Sequence, residues 1–435
     1  MTLRILGLLL LSSALGCHHS EGLEYAGDAA TPVDLAQPAD LAPPADLAPP
    51  EPADAGTFPA DVTLGELQPQ VQRQSAGGVL ATPTVVAVLY DDDPYRADAE
   101  LFFTQFAASP AWAVQTAEYG VGPLTVGAPR HLGPIPATVT DAAVQSLLQT
   151  NLASAAAPWG AADANVAYQF FIPQATAFDD GFSGNAQGSS CCQSYGGYHS
   201  DTDVNGVAIS YAIICECADR GGPTTPLQDL TTTASHELVE AVTDAFSGTP
   251  GYTTPSNDFF GFTLVTQGEL GDMCEFATNF EWKPAGMDYT IQRSWSNAAA
   301  AAGHDPCVGD GDVPYYEAFP FLPDHVDVGQ GQMVRSLNIP LGATTTMTVR
   351  VFSDVPSGSV TLSVDDIYAQ FTGGPALLTF EVPPGPFVVG MDVPIKVTVV
   401  SQDLSNLGPF EPFVLATTPV NGGNTTFYYG IIGQP

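Results

Sequence analysis

The stretch Thr233-Ala-Ser-His-Glu-Leu-Val-Glu-Ala-Val-Thr-Asp-Ala245 sets His236 directly before Glu237 and four residues before Glu240. Histidine is scarce in this chain, seven in 435 residues. On a helix, side chains four apart stand one above the other, so the imidazole of His236 and the carboxylate of Glu240 share a face. This is the spacing of the His-Glu-x-x-His helix of zinc peptidases, with the second ligand changed to Glu. In that chemistry His236 and Glu240 ligate the ion, and Glu237 is the general base toward a water that the ion polarises. The bland alternative is a solvated helix face that carries the pattern by chance.

A catalytic zinc keeps three protein ligands, so a third donor must come from elsewhere in the chain. Glu269 and Asp272, in Glu-Leu-Gly-Asp-Met-Cys274, are the first candidates. His199 is the next, and His304, in a polar turn, is weaker. One His with two carboxylates is a harder set than two His with one Glu, so the expected cofactor is zinc, with manganese or calcium as alternatives. Asp201-Thr-Asp-Val-Asn-Gly206 opens like a calcium loop, but its twelfth position is Ala212 where a bidentate Glu is needed, so a hairpin turn is the better reading. No Gly-x-Ser-x-Gly occurs, which removes the usual serine-hydrolase elbow.

These residues need elements to hold them. Leu227, Leu230, Ala234, Leu238, Val242 and Ala245 recur at steps of three and four, predicting a helix with one packed face. Thr84–Tyr90 and Val166–Ile172 are β-branched and aromatic runs expected as buried strands. Between them, Arg96–Ala108 and the segment opened by Thr140 show helical spacing, and Val207–Ile214 reads as a further strand. Trp112–Val126 and Tyr289–Trp295 are expected to be strands, Phe259–Val265 a strand pair, and Phe178–Ser200 a glycine- and serine-rich loop ending at His199. The alternation predicts an α/β domain over 81–318, zincin-like, with a mixed sheet and an active-site helix. From about residue 325 to 435 short Val/Thr-rich strands with Gly/Pro turns predict an all-β immunoglobulin-like sandwich.

Beyond Cys17 there are six cysteines, an even set that suits an oxidising compartment. Clustering pairs Cys191 and Cys192 with Cys215 and Cys217, and Cys274 with Cys307; a structural zinc held by the first four is the rival. Met1-Thr-Leu-Arg4, the apolar run Ile5–Leu11 and Ala14-Leu-Gly-Cys17 form a lipoprotein-type signal over 1–17, with Cys17 the lipidation site and plain secretion the alternative. Residues 18–80 carry Pro-Ala-Asp-Leu-Ala-type repeats and are expected to be a disordered spacer. Localisation is therefore at the outer membrane or cell surface, or secreted, with the lipid anchor as the one membrane contact. Net charge is −37 with ten basic residues, which excludes a nucleic-acid partner, since phosphate binding needs clustered Lys and Arg.

Three blocks, Gly197-Tyr-His199, Ser235-His-Glu-Leu-Val-Glu-Ala-Val-Thr-Asp244 and Glu269-Leu-Gly-Asp-Met-Cys-Glu275, resemble in that order the signature blocks of the Exordium / phosphate-induced protein 1 family. The resemblance covers about residues 80–308. Departures are Ala245 for Pro, Leu270 for Ile, and Gly196 where the family has Cys, the last implying a different disulfide pattern near His199. Plant members are secreted cell-wall proteins without a settled enzymatic activity. The resemblance implies that His199, His236, Glu237, Glu240, Glu269 and Asp272 form one constellation. The expectation is a surface-anchored metallohydrolase acting on peptides or a cell-envelope polymer. Its rival is a non-catalytic envelope or matrix protein, with a structural or vestigial site, that binds carbohydrate.

Overall fold

A computed structural model describes residues 53–54, 56–75, 77–181, 190–218, 224–309, 313–402 and 408–434. The expected signal segment with Cys17, and the repeats before residue 53, lie outside the described residues. No described helix is long and apolar enough to cross a membrane.

The first sheet is mixed. Its strands run in the order Thr125–Val126, Thr84–Leu89, Val166–Ile172, Val207–Cys215 and Gly197–Val204, with Arg130–His131 also on Thr84–Leu89. All pair in parallel except Gly197–Val204, which lies antiparallel at the edge. The period of two in an extended chain explains why near-continuous apolar runs fill both faces. Val85, Ala87, Leu89, Phe171 and Ile214 face the helices Arg96–Ala108 and Pro226–Thr243. Val86, Val88, Phe170 and Ile213 face Val144 and Leu148 of the helix Asp141–Asn151 on the other side. Both cysteine pairs near the edge form as expected, Cys191–Cys215 and Cys192–Cys217, and Cys274–Cys307 forms the third. The four-cysteine zinc alternative is thereby excluded.

The β-rich half is two sheets over one core. One contains Tyr316–Pro320, Thr344–Ser353, Leu378–Glu381 and Asp392–Val399; the other runs Asp324–Asp327, Met333–Asn338, Thr426–Gly433, Phe410–Pro419, Ser359–Asp366 and Phe387–Val388. Val349, Val351, Ile395 and Val397 of the first meet Val360, Phe413, Leu415 and Ile432 of the second.

Several sequence expectations change. Trp112–Val126 is mainly helical: Ser109 caps Pro110–Thr116 through its side chain, with Pro at the first turn, and only Thr125–Val126 is a strand. Tyr289–Trp295 is two short strands, Ile291–Gln292 and Ser294–Trp295. Phe259–Val265 is helical, closing a 3₁₀ turn into Phe260–Thr266. Its aromatic composition serves packing, since Phe262 sits edge-on to Tyr428 and Tyr429 at ring distances of 5.4 and 5.2 Å. That contact fuses the α/β part to the sandwich in one hydrophobic cluster. The sandwich also begins earlier than residue 325, because Tyr316–Pro320 pairs with Val349–Ser353.

Residues 56–75 and 77–80, expected as the end of the spacer, are folded. Phe58, Leu64, Val71 and Leu80 are buried, and Ala53–Asp54 pairs in parallel with Thr345–Thr346. Composition misleads here because a few apolar residues among prolines suffice once a partner surface exists.

Glu317, in the sandwich core, is buried. Burial pushes its carboxyl from 4.5 up to about 8, against hydrogen bonds donated by the Ala318 N–H and the Tyr315 hydroxyl. A carboxyl raised in the fold binds a proton that the unfolded chain releases. Its contribution is therefore full below about pH 4.5 and is lost as pH rises through 8, at up to about 1.4 kcal/mol per pH unit. Glu317→Gln should flatten the fall in melting temperature between pH 6 and 9; an unchanged slope would refute the assignment.

Candidate metal centre

The site helix begins with Thr225 as N-cap, Pro226 at its first turn and Gln228 closing a capping box. From Leu230 to Thr243 every residue is buried. His236, Glu237 and Glu240 are thus not on a solvated face.

His199 comes from the edge strand Gly197–Val204, opposite Ala212 of the neighbouring strand, not from a loop. Polar composition hid the strand, since its hydrogen bonds and not its side chains fix it. The turn that follows is a two-residue hairpin with Asn205 and Gly206 at φ 54° and 85°, as Asn-Gly favours. The suspected calcium loop is that hairpin.

Glu269 to Asp272 form the third wall. Leu270 O accepts from the Trp295 N–H at 2.8 Å, Gly271 O accepts from the Gln292 side-chain amide at 2.8 Å, and Cys274–Cys307 fixes the following turn. Gly271 N–H and Asp272 N–H both donate to Glu240 Oε1, each at 3.0 Å. One oxygen of Glu240 is thereby occupied by backbone. The other, Oε2, faces the site, 3.1 Å from His236 Nε2 and 3.5 Å from His199 Nδ1.

All six expected residues line one cavity of about 280 Å³, together with Asp244 at the end of the site helix. Proximity offers groupings for the third donor that sequence left open. His236, Glu240 and Asp272 are all buried, with donor atoms within 4.8 Å of one another, and Asp272 Oδ1 lies 3.5 Å from His236 Nε2. His199 groups with Glu237 and Glu240 and also with Asp244 and Glu269. His304 is elsewhere, exposed and paired with Asp354 at 3.2 Å. Asp244 was missed as a candidate, although its spacing, four residues after Glu240, carries the same one-turn signal.

Burial pushes the carboxyls of Glu237, Glu269 and Asp272 upward, and repulsion from Glu240 adds to it in each. Burial would raise Glu240 as well, but His236 and His199 hold it below the ordinary carboxylate range. Burial opposes the charge on His199, and the facing Glu269, Glu237 and Glu240 outweigh it and raise its pKa. Among the described residues no lysine or arginine lines the cavity. Several buried carboxylates facing only two imidazoles are costly, and a divalent cation would offset that charge. The donor set of imidazole and carboxylate therefore fits a metal ion, without fixing which one.

No family model matches the chain, and no curated protein matches it.

Proposed function

We propose that the protein is an exported metal-dependent peptidase of zincin-like design, related to the Exordium / phosphate-induced protein 1 family and anchored through Cys17. The observation that carries this reading is the buried group of His236, Glu240 and Asp272 with Glu237 alongside, in a cavity whose described lining lacks lysine and arginine. His236, Glu240 and Asp272 would hold a divalent cation, zinc first, which when bound would supply the charge to polarise a carbonyl and acidify a water. The rest falls to the chain. Asp272 and Glu240 fix the His236 side of the site, and the backbone amides of Gly271 and Asp272 fix Glu240. Glu237 receives and returns the proton, and burial pushes its carboxyl upward.

A peptide is favoured as substrate by the edge position of Gly197–Val204, the strand that bears His199. An extended chain can add to a strand edge through main-chain hydrogen bonds, which places a peptide bond beside the cavity. The three disulfides suit an oxidising, extracellular setting.

The test is elemental analysis of the purified chain, with a peptide-library assay before and after chelation. Bound metal is expected, with cleavage that stops on chelation and returns with zinc. Metal without cleavage of any peptide would sink the peptidase reading in favour of a non-catalytic envelope protein. Absence of metal would remove the site altogether.

A further inference from the structure

We propose that the centre holds two divalent cations, one at His236, Glu240 and Asp272 and the other at His199, Asp244 and Glu269, with Glu240 placed between them. The inference rests on the metal-site reading above and deepens it.

The two groups share no residue, yet in each the donor atoms lie within 4.8 Å of one another. The first is buried throughout and the second is half-buried, so the pair forms an inner and an outer position in one cavity. A third grouping, His199 with Glu237 and Glu240, straddles them. Glu240 Oε2 is the atom common to both sides, 3.1 Å from His236 Nε2 and 3.5 Å from His199 Nδ1. Carboxylate oxygens in that position serve two-metal sites, whose ions stand roughly 3.5–4 Å apart.

All but one of the imidazole–carboxylate distances exceed those of a hydrogen-bonded network, the exception being His236 Nε2 to Glu240 Oε2 at 3.1 Å. His199 Nδ1 is 3.5, 3.7 and 3.8 Å from oxygens of Glu240, Glu237 and Glu269, and His236 Nε2 is 3.5 Å from Asp272. Hydrogen bonds from nitrogen to oxygen fall at about 2.7–3.2 Å. Two ligands each about 2.1 Å from one ion are roughly 3.0–3.8 Å apart for angles between about 90° and 130°. The imidazoles are thus spaced from the carboxylates as co-ligands are.

Charge supports the same count. Glu237, Glu240, Asp244, Glu269 and Asp272 bring five carboxylates to a cavity without a described lysine or arginine. Ionised, they carry −5; one divalent cation leaves −3 and two leave −1. Low-dielectric surroundings favour the smaller residue of charge. A single zinc, satisfied by four ligands, would also leave several of these donors without an ion.

The full chain, stripped by chelation and titrated with zinc alone and with manganese alone, tests this by calorimetry and elemental analysis. Two equivalents per chain are expected, with Asp244→Asn reduced to one. The manganese-loaded protein should show the spin-coupled electron paramagnetic resonance spectrum of a close ion pair, a readout that needs no variant. One equivalent with an uncoupled spectrum overturns the two-ion proposal and leaves the single-ion site standing. No bound metal overturns both.

Discussion

Glu237→Gln is expected to lower peptide turnover by about 10²–10⁴-fold, the usual contribution of a positioned general base, while the metal content stays at its wild-type value. The substitution keeps side-chain volume in a place where volume matters. A Cβ at Gly197 would lie 2.7 Å from Glu237 Oε1, so the carboxylate already fills the space against the edge strand. It removes the proton acceptor and leaves His236, Glu240 and Asp272 untouched. The fold should not suffer, because a buried carboxyl is replaced by a neutral amide of the same size. Parallel kinetics and elemental analysis decide the matter. Loss of metal with the activity would make Glu237 a ligand, and full activity would remove it from the chemistry.

Gly271→Ala is the second large effect expected, although residue 271 bears no reactive group. Its backbone is ordinary right-handed helix, φ −72° and ψ −49°, so conformation does not demand glycine. Contact does. A Cβ there would sit 2.7 Å from His236 Nδ1 and 2.8 Å from Glu240 Oε1. The added methyl must push the 269–272 segment away from the helix, breaking the two amide bonds that hold Glu240. Loss of such supporting contacts lowers metal affinity by about 10–100-fold, and overpacking costs about 1–3 kcal/mol. Metal titration and thermal unfolding of the variant check both numbers; unchanged affinity would show that the segment does not position Glu240.

Gly271 also marks where sequence reasoning stops. His236, Glu237 and Glu240 were legible because helical spacing is a local rule, and Glu269 and Asp272 because a carboxylate pair stood beside a cysteine. Choosing Asp272 over Glu269 as the partner of His236 required the close approach that only a glycine permits, and nothing local signals that approach. The strand bearing His199 was hidden for a related reason. Its order derives from pairing with Val207–Cys215, a contact that polar residues do not announce. In the sandwich, Pro412 of Phe410–Pro419 stands opposite Ile431 of Thr426–Gly433 but one residue beyond the stretch that pairs with Ser359–Asp366, and Pro419 ends the strand. The disulfides were readable because clustering in sequence matched proximity in space.

Those disulfides bear on when the centre can exist. Cys191–Cys215 and Cys192–Cys217 tie the approach to the His199 strand onto the end of its neighbour, and Cys274–Cys307 secures the turn after Asp272. Two of the three walls of the cavity are therefore held by bonds that a reducing cytoplasm does not sustain. A newly made chain inside the cell carries every donor and none of the clamps. Oxidation of these three pairs is therefore the step that completes the cavity walls, and the donors meet in their final geometry only once it has occurred.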